Sequence, residues 1–565
     1  MRHFRARLAA TLATVLLLTT EAKGQSPLPS PQHPAPSTRS TVYAPHGVIA
    51  TSQPLATAAG LAVMQRGGNA IDAAVTAAAV LNLVEPHMTG IGGDMFALFW
   101  SAREKKLVAL NASGRSGSLM TREELVRRGY DRVPTFGPEP ITVPGALSGW
   151  AALLEKYGTL TLAQALEPAI RLAEEGFPVT PIIARQWSET VERLARDAGA
   201  KATYLVDGTR APKAGEWFRN PDLARSFRLI AQDGPQALYG GVLAKKIVEH
   251  LRALGGFLTL EDMAAQKVEW VNPISATFRG YTVWELPPNN QGVAVLEMLK
   301  ILEPYDLKAM GHNTPAYLHH LIEAKKLAYA DLARWIGDPA AMTVGVGRLT
   351  DAKFIEARRA LLDPAKAAER MEPGNAATAS ETIYLAAADS AGNMVSFINS
   401  NYEEFGSGIV VPGTGFALQD RGAGFTMTPG LANTVGPNKR PFHTLIPGFV
   451  TRPGANGAQE PWLAFGVMGG AIQPQGHVQV LLNLLEFGMD LQPAIDAARF
   501  RHYDGLRVAL EAPIGADVRA GLEKLGHRVV MLTPDNAGGS QAVMRLIKGW
   551  AAGSDPRKDG MAAGW

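Results

Sequence analysis

Hydrophobic and polar positions divide the chain into stretches of different texture. An unbroken apolar run, 8–18, follows Arg2, Arg5 and Arg7, and small residues at Ala22 and Gly24 then fall at the two positions a signal peptidase reads. The run is shorter than the roughly 20 residues of a spanning helix, so residues 1–24 predict a cleaved export signal rather than an anchor. Residues 25–45 are rich in Pro, Ser and Gln with little to bury, and predict a disordered linker.

From residue 46 the pattern alternates between helical and strand periods. Residues 54–66 and 70–84 are alanine-rich and predict two buried helices split by Gly67-Gly68-Asn69. Short apolar runs at 95–100 and 106–110 predict strands. Helical periodicity then dominates at 146–156, 162–175, 182–196, 220–232 and 242–251. Residues 275–286 predict a strand, and 293–302 and 315–336 further helices. Residues 365–380 are small and polar and predict an exposed, mobile loop. Directly after it, 382–388, the turn Asp389–Asn393 and 394–398 predict a hairpin. Glycine turns and short strands fill the remainder, with one helix near 478–487 and no internal repeat.

Composition narrows the chemistry. The 565 residues include no cysteine, which excludes a thiol nucleophile, disulfides, zinc–thiolate sites and iron–sulfur clusters. The net charge of +3 lies within the first 24 residues, so the body is neutral and lacks the basic face a nucleic-acid partner needs. No G-x-S-x-G elbow, phosphate-binding P-loop or H-E-x-x-H helix is present. His319 and His320 are neighbours on a helix and point apart. Thr89-Gly-Ile-Gly-Gly-Asp94 lacks a phosphate-binding lysine and predicts a tight helix-to-strand turn. No metal and no organic cofactor is expected.

What remains is Thr382, at the junction of a mobile loop and a buried strand. Cutting Glu381–Thr382 would give it a free α-amine, with a reference pKa of about 7.7–8.0. That amine can take the proton of the residue's own hydroxyl, so nucleophile and base share one residue.

From Gly47 onward the sequence resembles the γ-glutamyltransferase family of N-terminal-nucleophile hydrolases. The resemblance is carried in order by Gly67–Ala74, Thr89–Asp94, Thr142–Ala146, Glu285–Gly292, Asp389–Val395, Phe405–Gly408, Gly436–Pro441 and Val467–Gly470. It implies an α+β fold, a four-layer αββα sandwich, and a proenzyme that cuts itself before a threonine. Alignment on Asp389 and Asn393 makes that threonine Thr382, with a large subunit 46–381 and a small subunit 382–565 forming one intertwined domain. By the same resemblance Gly469 and Gly470 form the oxyanion hole, Arg115 binds the donor's carboxylate, and Ser400 supports the nucleophile.

The departures from the family pattern concern the substrate. Tyr402, Arg421 and Gly424 stand where γ-glutamyl enzymes surround the donor's ammonium with carboxylates or amides, and His443-Thr444 replaces a serine pair. An arginine repels an ammonium and attracts a carboxylate. The resemblance therefore points to the acylase-like branch: a small-molecule amide bearing a carboxylate, hydrolysed through an acyl-enzyme with possible transfer to amines, in the periplasm or secreted, without membrane insertion. A genuine glutathione hydrolase/γ-glutamyltransferase is the alternative, and a non-processing periplasmic binding protein the third. Which way Lys439 and Arg440 face is open at this stage.

Overall fold

The computed structural model describes residues 39–372, 381–454 and 457–565. The proposed export signal and most of the linker lie outside them. Among the described residues no helix is long and apolar enough to cross a membrane.

Two antiparallel seven-stranded sheets form the centre. The first runs Met561–Gly564, Val48–Thr51, Glu381–Ala388, Met394–Tyr402, Asp94–Ser101, Lys106–Ala112, Glu269–Val271. The second runs Val42–Ala44, Trp550–Ser554, Gly539–Arg545, Gln459–Met468, Gly448–Pro453, Tyr281–Glu285, Ile274–Phe278. Both faces of each sheet are covered. In Met394–Tyr402 every residue is buried, and the period of two sorts them. Val395 and Phe397 join the core under the helices, while Met394 and Ile398 join the core between the sheets. The same sorting sends Ile383, Leu385 and Ala387 outward and Tyr384, Ala386 and Ala388 inward, against Phe449, Ala464 and Met468 of the second sheet.

Helices complete the outer layers. Ala70–Val84 is buried along its whole length against the first sheet. Gly292–Leu302, Pro315–Trp335 and Gln473–Leu485 cover the second. The layers are thus αββα, as the resemblance implied.

Asp389 shows why the hairpin has its sequence. Its Oδ1 accepts the N–H groups of Ala391 and Asn393, and its Oδ2 accepts the Asn393 side chain and the N–H of Ala70. One carboxylate closes the turn and caps the buried helix, an N-terminal end that favours negative charge.

Four expectations need correction. The linker expected over 25–45 is ordered at its end: Val42–Ala44 pairs antiparallel with residues 550–552, and Arg39 Nη1 donates to Gly560 O at 2.8 Å. Residues 275–286 are two strands, because Arg279 and Gly280 both take positive φ and turn the chain. The helix expected over 182–196 breaks at Thr190 into Pro181–Glu189 and Val191–Leu194. The loop expected over 365–380 is tied down in its first half: Ala367 N–H donates to Leu525 O at 2.7 Å, and Lys326 Nζ donates to Ala368 O at 2.6 Å. Residues 373–380 lie outside the described residues.

Candidate active site

Thr382 and Ser400 sit on adjacent strands of the first sheet, on the face turned toward the second. Thr382 Oγ1 donates to Ser400 Oγ at 3.3 Å, and both residues are fully buried. The pairing is irregular there: Glu381 is opposite Tyr402, but Ile383 is opposite Asn399. Such bulges re-aim side chains beside functional sites. Ser400 Oγ also accepts the N–H of Tyr402 at 2.8 Å and Nη2 of Arg421 at 3.3 Å. Tyr402 holds φ at 86°, a left-handed conformation that costs a non-glycine residue about 1–3 kcal/mol.

Arg421 is the unusual group. It is completely buried, yet among the described residues no carboxylate lies within ion-pair distance of it. Nη1 donates to Thr444 Oγ1 at 2.9 Å, and the guanidinium lies 4.2 Å from the centre of the Tyr402 ring. Nε has no hydrogen-bond partner among the described residues, and neither has Oδ1 of buried Asn401. Burial lowers the Arg421 pKa to about 10, against the pull of Tyr402, Asp94 and Asp420, so it stays charged at neutral pH. Asp420 gives little compensation, since burial and then Glu403 push its carboxyl up to about 8.

Asp94 organises the loops around this arginine. Its Oδ1 accepts the N–H groups of Gly114 and Gly145 and Nε2 of Gln419, at 2.9, 3.0 and 3.1 Å. His443 Nδ1 accepts the N–H of Leu445, which leaves Nε2–H to donate to Asp94 Oδ2 at 3.2 Å. Burial, then Arg421, holds the His443 pKa well below its usual value, so the ring is neutral. Burial raises Asp94 to about 6. The expected tight turn at 89–94 is therefore also the source of a structural anion. Gly93 permits it, since a Cβ there would lie 2.3 Å from Ser400 O.

The second sheet brings the glycine pair. Ser396, opposite Ala386, donates to Phe465 O at 3.3 Å, and the Tyr384 ring rests on Gly466. Moving from Ala386 toward Thr382 on one sheet therefore moves from Phe465 toward Gly469 on the other. Gly469 and Gly470 have φ of 121° and 65°, which suits glycine alone at the first and disfavours side chains at the second. Their carbonyl side is anchored. Gln291 Nε2 donates to Gly470 O at 2.9 Å and to Thr444 O at 2.7 Å, while Tyr329 Oη and Gln475 Nε2 both donate to Ala471 O.

Arg115 is placed differently. It is part-exposed, with Nη1 on Asp338 at 2.9 Å and Asn438 O at 3.1 Å, and Nη2 on Glu269 at 3.4 Å. It joins the cluster through the backbone, since its neighbour Gly114 bonds Asp94. Arg440 is buried and pairs with Glu269; Lys439 Nζ donates to Thr434 O. Neither contacts Thr382 or Ser400.

Sequence reasoning thus named Thr382, Ser400, Tyr402, Arg421 and Thr444, which the fold brings into one network. It missed Asp94, Gln291 and Gln419. Asp94 and Gln291 lay in segments quoted for their resemblance, but nothing in the local sequence gives them a role. Away from this site, His319 does find a histidine, across the fold: Nδ1 lies 2.8 Å from His527 Nε2, with Glu323 alongside. Lys326 already neutralises Glu323 at 2.7 Å.

The family model described as Gamma-glutamyltranspeptidase matches residues 56–565. This chain belongs to that family. It is 37% identical over 538 residues to the Glutathione hydrolase-like YwrD proenzyme of Bacillus subtilis, covering 93% of this chain and 98% of that protein. It is 35% identical over 506 residues to the Acylase ACY 1 proenzyme of a Pseudomonas species, covering 88% and 89%. Among solved structures, cephalosporin acylase from Bacillus halodurans matches with a TM-score of 0.89 and 42% identity, covering 94% of this chain and 98% of that one. The chain is a proenzyme amidohydrolase of this family, and the binding-protein alternative falls away.

Proposed function

We propose that the chain cuts itself at Glu381–Thr382, and that Thr382 then hydrolyses amides whose acyl part carries a carboxylate without an ammonium beside it. The observation that carries this reading is Arg421: a buried, charged guanidinium one hydroxyl removed from Thr382 that, among the described residues, has no carboxylate partner and an unbonded Nε. A buried unpaired charge is costly, and a substrate carboxylate would supply the missing partner. The acylase names among the relatives favour the same reading. The name of the YwrD relative keeps glutathione-type donors as the second.

In the uncut chain Thr382 is sealed, and Glu381 continues the strand opposite Tyr402. Cleavage begins when Thr382 Oγ adds to the Glu381 carbonyl carbon. The C–N bond breaks, the acyl group passes to oxygen as an ester, and the nitrogen becomes a free amine. Water hydrolyses the ester, leaving a Glu381 carboxylate and the restored hydroxyl. Departure of the Glu381 end opens the site.

In turnover the α-amine takes the Oγ proton as Oγ attacks the substrate amide. The amide groups at Gly469 and Gly470 hold the oxyanion; one such donor is worth about 2.7–4 kcal/mol. The amine returns the proton to the leaving nitrogen, and water, or a competing amine, resolves the acyl-enzyme. Arg421, with Thr444 and Tyr402, holds the acyl carboxylate, and Arg115 lies at the outer edge of this donor region. We place this chemistry in the periplasm or outside the cell, on the export pattern of residues 1–24.

N-terminal sequencing of the purified protein tests the first half: a second chain beginning Thr-Ile-Tyr-Leu is expected, and Thr382→Ala yields one intact, inactive chain. Paired glutaryl and γ-glutamyl anilides test the second half. Faster turnover of the glutaryl compound is expected; a strict need for the α-amino group would overturn the donor assignment.

A further inference from the structure

A second cavity, of about 600 Å³, lies beside the helix Pro315–Trp335, and its lining includes Lys325, Tyr329, Met371, His502, Tyr503 and Asp504. None of Thr382, Ser400, Arg421 or Thr444 lines it. Lys325 is buried, and its ammonium donates to His502 Nδ1 at 3.0 Å and Tyr503 O at 3.2 Å while lying 4.0 Å from the centre of the Tyr329 ring. These partners supply dipoles but no negative charge. His502 Nε2–H donates to Gly505 O, which leaves Nδ1 as an acceptor, and burial followed by Lys325 keeps the ring neutral.

Of the other charged residues on the wall, all but Glu369 are already ion-paired among the described residues. Lys326 pairs with Glu323, Arg370 with Glu372, and Asp504 with Arg507. Among the described residues Lys325 has no ion pair. Burial, then Arg501 and Lys326, presses its pKa down to about 7, with Asp504 acting the other way. An uncompensated cation facing a cavity is a mark of a ligand site, and the volume falls within the range of about 300–1,000 Å³ usual for small-molecule pockets.

We infer that this cavity binds a small organic monocarboxylate, with Lys325 as its counter-charge and the Tyr329, Tyr503 and Met371 side chains around its apolar body. The rest of the wall carries two charges of each sign, Lys326 and Arg370 against Glu369 and Asp504, so Lys325 leaves one net positive charge for a monocarboxylate to balance. Tyr329 also donates its hydroxyl to Ala471 O, so the cavity abuts the turn that follows Gly469 and Gly470. The inference does not depend on how the Thr382 site is read.

Calorimetric titration of the full protein with hexanoate at constant ionic strength tests it, with hexanamide and inorganic phosphate as controls. In Arg421→Met, where the donor pocket no longer offers a counter-charge, one saturable hexanoate site is expected at pH 6, at least tenfold weaker when Lys325→Met is added. Its affinity should fall about thirtyfold between pH 6 and pH 8.5 as an ammonium titrating near 7 loses its proton. No saturable hexanoate site in Arg421→Met, equal affinity there with and without Lys325→Met, hexanamide binding as tightly as hexanoate, or phosphate binding more tightly would each overturn the site. Should Lys325→Met fail to fold, Lys325→Arg decides: binding that no longer weakens between pH 6 and pH 8.5 is expected, and a fall with pH equal to that of the lysine protein refutes the role of Lys325.

Discussion

Two arginines, both expected to meet a substrate carboxylate, are housed in opposite ways. Arg115 is part-exposed and already paired with Asp338 and Glu269. Arg421 is buried, bonded to two hydroxyls and a ring, and has no carboxylate. An arginine with acidic partners in water has little left to gain from a substrate. One held charged in a dry site by neutral groups gains a great deal, because a bound carboxylate removes an existing penalty. The difference predicts unequal mutational costs. Arg421→Met should lower kcat/KM for a glutaryl anilide by about 100-fold, the loss of a charge-assisted pair of 2–3 kcal/mol, while autocleavage, which involves no substrate carboxylate, still yields two chains. Equal loss on a substrate lacking the carboxylate would break the contrast.

Gln291 links the two halves of the site, since one amide holds both Thr444 O and Gly470 O. Gln291→Leu should lower kcat about tenfold with KM nearly unchanged, because it loosens the turn that presents the oxyanion donors, whose full worth is greater. Gln291→Glu, which keeps the length but replaces the amide donor with an acceptor facing two carbonyls, should do no better. Steady-state kinetics of the two variants check this; a loss confined to KM would assign Gln291 to the donor pocket alone.

The contrast also shows what the chain reveals before it folds. Strand alternation, the break at Gly67-Gly68-Asn69 and the Asp389–Asn393 turn are local patterns, so the two buried helices and the hairpin that carries Thr382 were legible, while the four layers came from the family resemblance. Arg421 was legible as a departure from a family pattern. Its lack of an ion pair was not, because that depends on Asp94 and Asp420, and on burial shifting their carboxyls to about 6 and about 8. Asp94 was read as the end of a turn, since no spacing tells that Gly114, Gly145, Gln419 and His443 will converge on it. The single strand expected over 275–286 failed for a local reason: Arg279-Gly280 reverses the chain inside an otherwise continuous strand pattern.

Arg115→Met sharpens the comparison from the weaker side. A rise in KM of only about threefold is expected, because Arg115 stays committed to buried Asp338 and to Glu269 and has little left for a substrate. A change above thirtyfold, measured on the same anilide, would mean that substrate displaces Asp338 and that the two arginines work as equals.

A separate effect, on stability rather than turnover, lies in the counter-charge that Arg421 lacks. Asp420 has its folded pKa raised to about 8 by burial, so the native state holds a proton that the unfolded chain has released. This stabilisation is fully present below the unfolded carboxylate's pKa and is lost as pH rises through about 8. Asp94 contributes a slope of the same sign, but that slope ends near pH 6. Between pH 6 and pH 8 this one group therefore lowers stability as pH rises, by at most about 1.4 kcal/mol per unit. Asp420→Asn removes that contribution, so the difference between wild-type and variant stability should change across the interval by up to that slope. Urea denaturation of both proteins at closely spaced pH values measures it. Parallel wild-type and Asp420→Asn curves from pH 6 to pH 8 would mean that Asp420 is ionised at neutral pH, and that Arg421 has a negative charge close by before any substrate arrives.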